Sequence, residues 1–191
     1  MVSFLPAFTA STYNMRGASA YARDSVSRKC KTRNIVALTN KYDIVNLQET
    51  NLNKNDKTYL KSIIPKGSRF FLNNGWGHLG VATIVSAKVL RAFSVASIPF
   101  PSALGGRALA LLFTPKSGAA PFTFVNLYLK SGTDQKARAE QLSLVRDSVP
   151  VTDFIFFAGD FNFVENKFED TSSHSTYYDH STDFRKVWEK N

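Results

Sequence analysis

The 191-residue sequence holds a single cysteine, Cys30, so no internal disulfide can form and nothing in it calls for an oxidising compartment. Cys30 follows Val26 by one helical turn in a polar stretch, which suits a half-buried thiol better than a nucleophile. No apolar run approaches the ~20 residues that a membrane-spanning helix needs, which excludes insertion by that route. The opening MVSFLPAFTAS has no basic leader and is broken by Pro6, which argues against a cleaved signal peptide and for a first strand. Internal repeats, low-complexity tracts and long linkers are also missing, so residues 1–191 read as one domain. Histidine is scarce: only His78, His174 and His180.

What is present is ordinary globular material, 43% hydrophobic and 20% charged, enough for a core without disulfides or a structural metal. The net charge of +9 is unevenly spread. Between Arg16 and Arg69 twelve bases face four acids, whereas from Asp147 onward nine acids face four bases. A basic region of this kind favours a polyanion such as nucleic acid through counterion release, although a solvated helix face accounts for the charge equally well.

Short apolar runs rich in β-branched and aromatic residues alternate with polar turns, predicting strands over 8–15, 43–48, 69–72, 81–86, 90–97, 107–114, 122–128 and 154–158. FTFVNLY and FIFFA are apolar on both pleat faces, as strands covered on both sides should be. Residues 19–40 read as a basic first helix, and 133–149 as a second. The second carries Ala139, Leu142, Val145 and Val149 in one stripe, a cap at Thr133 or Asp134, and a stop at Pro150. A third opens near Asp183 with Phe184, Val187 and Trp188. Many strands with few helices predict an α+β, sheet-on-sheet core with helices outside.

Four of the strands run straight into polar, metal-capable residues. TASTYNMRG ends on Asn14 and Arg16, and DIVNLQET on Gln48 and Glu49. FTFVNLYLKSG places Asn126 and Tyr128 on one pleat face, and FIFFAGDFN places Asp160 and Asn162 after Gly159. A carboxylate directly after a buried strand is costly unless its charge is compensated. Gathered at one end of a sandwich, Glu49 and Asp160 would make a hard oxygen site suited to Mg²⁺ or Mn²⁺. Asn14 and Asn162 can bond phosphate oxygens or a water without adding charge, and the Tyr128 phenol can donate to a developing oxyanion. Taken singly, Glu49 also fits a loop carboxylate, Asn14 a turn, Tyr128 the core, and GDFN a structural Asp/Asn turn.

The order NMRG, LQET, VNLY, GDFN resembles the DNase I-like endonuclease/exonuclease/phosphatase superfamily. Within it the chain looks most like the AP-endonuclease-like endonuclease domain of LINE-type (non-LTR) retrotransposons, with GHLGVATIVS, GGRALALLF and LYLKSGTDQKARAEQ adding to the likeness. The resemblance runs from about Phe8 to Trp188. It implies a four-layer fold of two packed, mostly antiparallel sheets flanked by helices. It also implies that Glu49 binds the metal, that Asn14 lies near metal and phosphate, and that Tyr128 stands at the scissile phosphate. Asp160 and Asn162 match the pair that orients the attacking water and contacts the phosphate. Arg16 stands where abasic-site enzymes carry an acid, a departure that suits the retrotransposon branch; Arg16 and Lys130 are candidate nucleic-acid contacts.

The same resemblance calls for a Ser-Asp-His segment and two further strands near the C-terminus. Asp179 precedes His180, but no serine precedes that pair and no strand-like run separates it from GDFN. His78 reads as a loop residue before a buried strand, and His174 as part of an exposed polar run. The expectation is therefore a domain cut short at its C-terminus. The implied activity is Mg²⁺-dependent nicking of DNA, weak or absent without the histidine. The parent polyprotein would carry a reverse transcriptase, and the place of action would be intracellular, nuclear for chromosomal DNA. A phosphatase or phosphodiesterase of the same superfamily, or a non-catalytic nucleic-acid-binding remnant, are the rival readings.

Overall fold

The computed structural model describes residues 7–15, 25–75, 79–132 and 134–162. Among these residues eight strands form two four-stranded sheets. The first holds β1 (Ala10–Asn14), β2 (Ile44–Gln48), β4 (Gly80–Val85) and β3 (Arg69–Asn74), in that lateral order. The second holds β5 (Phe93–Ile98), β6 (Ala108–Pro115), β7 (Phe122–Tyr128) and β8 (Phe154–Asp160). Neighbours are antiparallel except at one edge of each sheet, where β1 runs parallel to β2 and β7 to β8. A parallel pair needs a crossover, supplied by α1 (Ser25–Lys41) and α4 (Gln135–Ser148).

Strand alternation explains the layering. On β2, Ile44 joins the apolar core between the sheets, while Val45 and Leu47 turn to the helices. On β7, Phe122, Phe124 and Tyr128 face the other sheet, and Val125 and Leu127 pack under Leu142, Val145 and Val149 of α4. Three apolar clusters thus fill the three interfaces of a helix–sheet–sheet–helix stack, the expected four-layer α+β fold. FTFVNLY is buried at every position.

Several expectations need correction. FIFFA was expected to be covered on both faces, yet Phe154 is 53% and Phe156 38% exposed. The cause is that, among the described residues, β8 has β7 as its only neighbour in the sheet and so stands at its edge. Residues 90–92, expected in a strand, belong to a short helix α3 (Ala87–Ala92). Ser86 caps it, accepting from the Val89 amide at 3.4 Å, and Val89 is buried. A helix α2 (Lys54–Ile63) was not foreseen, although Asn53 and Asp56 form a reciprocal capping box at its start and Leu60 is its buried anchor. Cys30 is exposed rather than half-buried. The second helix is capped by Asp134, which accepts from the Ala137 amide. The expected third helix lies outside the described residues, as do His78, His174 and His180.

The two ends of the sandwich differ in chemistry. At one end Phe8, Phe93, Phe113, Phe122, Phe124 and Phe156 pack edge-to-face and stacked, with Phe113 and Phe122 at 4.7 Å between ring centres. The other end is polar, and the two parallel strand pairs both finish there.

Candidate active site

Register places the strand ends level. Asn14 pairs with Gln48 across β1 and β2, and Tyr128 with Asp160 across β7 and β8. The sheets meet through Asn14, whose Nδ2 donates to Glu49 Oε1 at 2.8 Å and to Asp160 Oδ2 at 2.7 Å. Two carboxylates from different sheets therefore converge on one amide.

The local backbone aims each group. Glu49 turns out of β2 with φ 52°, a left-handed conformation that costs a non-glycine residue about 1–3 kcal/mol. Gly159 has φ 142°, and a Cβ there would run into the Leu127 carbonyl oxygen, so only glycine lets β8 lie this close to β7 before Asp160. Asn162, at φ 53°, donates its backbone amide to Asp160 Oδ1 at 3.1 Å and its Nδ2 to the Leu129 carbonyl at 2.7 Å. It thus ties Asp160 to the segment that follows Tyr128.

Tyr128 is buried in the inter-sheet core with its phenol beside Glu49. Burial, then the charge of Glu49 and hydrogen bonding to it, raise the phenol above its ordinary value; Arg107 opposes them and Asp160 adds to them. The Arg107 guanidinium lies 5.2 Å from the centre of the Tyr128 ring and donates to the Tyr128 carbonyl at 3.3 Å. Burial lowers the Arg107 guanidinium, against the pull of Tyr128.

Sequence reasoning missed Arg107, Lys31 and Arg138. Lys31 sits one turn before the buried Ile35 of α1, which points it toward the sheet rather than outward; burial lowers its ammonium while Glu49 raises it. Arg138 is buried in the α4 stripe, where spacing to Leu142 and Val145 could have located it. Its Nη1 donates to the carbonyls of Lys130 at 2.9 Å and Gly132 at 2.6 Å, fixing the turn after Tyr128. Lys130 is exposed and bonds Asp134 Oδ2 at 2.7 Å. Arg16 lies outside the described residues. Asn126 is no part of the strand-end cluster: it is fully buried one layer below.

Among the described residues no group of three His, Cys, Asp or Glu gathers to cage a metal. Two carboxylates and an amide oxygen nevertheless fit Mg²⁺ or Mn²⁺, which keep water ligands and need only one or two protein carboxylates. Glu49, with Asn14 and Asp160 beside it, would hold such an ion.

Among curated proteins no match is found. Solved structures do match. An AP endonuclease from Leishmania major superposes with a TM-score of 0.64 at 17% identity, over 95% of this chain and 65% of its own. A mannosyl-6-phosphatase from Bacteroides thetaiotaomicron gives 0.64 at 19%, over 96% and 71%. TDP2 of D. rerio complexed with single strand DNA product gives 0.58 at 21%, over 82% and 61%. The chain thus spans less than two thirds of the AP endonuclease and of TDP2. Residues 11–183 match the profile of the Endonuclease/Exonuclease/phosphatase family, and with the layering and strand-end site described above, the chain belongs to that family.

Proposed function

We propose that this chain is the endonuclease domain of a LINE-type retrotransposon, nicking one strand of DNA by Mg²⁺-dependent hydrolysis. The observation that carries the reading is the meeting of Glu49 and Asp160 on the Asn14 amide, beside a phenol that holds its proton. Bound at Glu49, Mg²⁺ would supply positive charge at the scissile phosphate and its leaving oxygen. Asp160 is held from both sides by Asn14 and Asn162, and its remaining lone pairs orient a water and accept its proton. Tyr128 donates from its phenol to a phosphate oxygen as charge develops there. The resulting 3′-hydroxyl would prime a reverse transcriptase in the same polyprotein.

DNA is favoured over a small phosphoester by the basic face of α1, where Lys29 and Arg33 are exposed and Lys31 turns toward Glu49. Of the first-helix bases that the sequence offers to a polyanion, Arg23, Arg28, Lys29 and Arg33, Arg23 lies outside the described residues and the side chain of Arg28 is not described. The likeness to a mannosyl-6-phosphatase supports the phosphatase rival, so the assay must offer both substrates. Supercoiled plasmid and soluble phosphomonoesters are incubated with Mg²⁺ or with chelator. Plasmid nicking that Glu49→Ala abolishes supports the proposal, and turnover of phosphomonoesters alone refutes it. Reversing Lys29, Lys31 and Arg33 to glutamate should weaken duplex binding and flatten its salt dependence; unchanged affinity and slope would remove α1 from the interface. Residues 161–191 hold no Ser-Asp-His run, and a version extended with one should nick about 10²–10³-fold faster than residues 1–191 alone.

A further inference from the structure

The site is composite: Asn14 and Glu49 come from one sheet, Tyr128 and Asp160 from the other. Most of what joins the sheets is apolar contact, which is non-directional and does not by itself set how far one sheet is shifted along the other. One layer beneath the site lies something that does. On β1, Thr12 stands two residues before Asn14 on the same pleat face; on β7, Asn126 stands two before Tyr128; on β2, Gln48 directly precedes Glu49.

These three polar residues bond to one another. The Thr12 hydroxyl donates to Gln48 Oε1 at 3.0 Å, and Gln48 Nε2 donates across the sandwich to Asn126 Oδ1 at 2.8 Å. Asn126 Nδ2 returns the tie, donating to the Ala82 carbonyl of β4 at 2.8 Å and the Leu47 carbonyl of β2 at 3.3 Å. Gln48 is 1% and Asn126 0% exposed. Burying two amides between apolar sheets is unfavourable unless they are bonded, and an aliphatic pair of similar volume would stabilise the sandwich at least as well. Amide bonds differ from aliphatic contacts in direction and reach: a shift of one sheet by a fraction of a residue breaks them.

We propose that the Gln48–Asn126 bond, seated on Thr12, is a positioning device that sets the relative placement of the two half-sites. Gln48 and Asn126 are positioning residues, acting on the metal through Glu49 and on Tyr128 through the β7 backbone. This rests on the metal reading given above.

The test is Mn²⁺ binding, followed by the electron paramagnetic resonance of free Mn²⁺, beside urea unfolding of the same samples. The samples are the chain itself, Glu49→Ala, Thr12→Val, Gln48→Leu, Asn126→Leu and the double Gln48→Leu/Asn126→Leu. The single leucine variants leave one buried polar atom without its partner, Asn126 Oδ1 or Gln48 Nε2, and should lose stability. The double leaves no unpaired amide on either side chain and should recover most of it. Mn²⁺ binding should stay weaker in the double by about ten-fold, the low end of what groups supporting metal ligands contribute. Thr12→Val, at the exposed edge of the first sheet, should fold normally and weaken Mn²⁺ by less than the double does. If affinity returns with stability in the double, the pair is merely structural and the inference is overturned. It is also overturned if Thr12→Val and the double both bind Mn²⁺ as the parent does. A parent chain that takes no Mn²⁺, or binds it equally after Glu49→Ala, removes the metal reading itself and this inference with it.

Discussion

Replacing Glu49 with glutamine removes one of two carboxylates held on a single amide nitrogen, at nearly unchanged volume. Oxygens bonded at 2.8 and 2.7 Å to the same Nδ2 stand at most about 5.5 Å apart. Unit charges at that distance repel by about 3 kcal/mol for an effective dielectric of ~20. Lys31, whose ammonium feels the charge of Glu49, and the surrounding solvent offset part of this, leaving about 1 kcal/mol. The glutamine oxygen can still accept from Asn14 and its amide can donate to the Tyr128 oxygen, so the relief is not cancelled by a lost bond. In chelator, Glu49→Gln should therefore melt about 2–4 °C above the parent, the shift that about 1 kcal/mol produces in a domain of this size. Adding Mg²⁺ should reverse the order, because an ion that binds only the folded parent raises its melting point and leaves the variant where it was. The assay is thermal unfolding of both proteins in chelator and in millimolar Mg²⁺. A variant that melts below the parent in chelator, or that gains as much from Mg²⁺, would refute the account of Glu49 as a strained, mutually repelled ligand.

Tyr128→Phe keeps the ring under Arg107 but removes the phenol, and should slow plasmid nicking about 10²-fold with little change in melting. Since burial and Glu49 raise the phenol in the metal-free chain, an ultraviolet titration in chelator, differenced against Tyr128→Phe, should show this group ionising above about pH 10, and ionisation below that would contradict the assignment. Gly159→Ala forces a Cβ into the Leu127 carbonyl at φ 142° and should destabilise the fold by about 3 kcal/mol in urea; a neutral effect would mean that β8 does not lie against β7 as described. At the opposite end of β2, burial would raise the Asp43 carboxyl, but hydrogen bonds from Lys88 and Thr9 and the charge of Lys88 outweigh it and hold it low. Its stabilisation is present above the ordinary aspartate range near pH 4 and is lost as pH falls through the lowered value, so Asp43→Asn should cost about 1–2 kcal/mol at pH 7 and little in strong acid. Equal losses at both pH values in urea titrations would count against the ion pair as the cause.

How much of this was legible in the residues follows from what a pattern can carry. FTFVNLY is apolar on both pleat faces, and the strand runs over those seven residues with every one buried. The stripe of Leu142, Val145 and Val149 with Asp134 before it and Pro150 after it marks α4 as clearly. The four polar strand ends were readable as events, because a carboxylate or amide after an apolar run breaks local expectation. FIFFA shows the limit: its composition is that of a covered strand, but coverage depends on a neighbour that composition cannot name, and among the described residues β8 lies at an edge. The capping box of α2 was present in the sequence, yet its apolar residues are too few for periodicity alone to reveal a helix of ten residues.

Tertiary structure alone decided which polar groups meet. Asn14 and Asp160 are 146 positions apart and Gln48 and Asn126 are 78 apart, separations across which no local pattern carries information. The residues by themselves determined the period, the buried face and the polar end of each strand, since sterics and hydration act within a few positions along the chain. The lateral order of the strands, the parallel pairing of β1 with β2 and β7 with β8, and the turning of Lys31 and Arg138 inward depend on long-range packing. That packing brings four separate strand ends to one place, where two carboxylates share an amide and a buried hydrogen bond aligns the sheets beneath them.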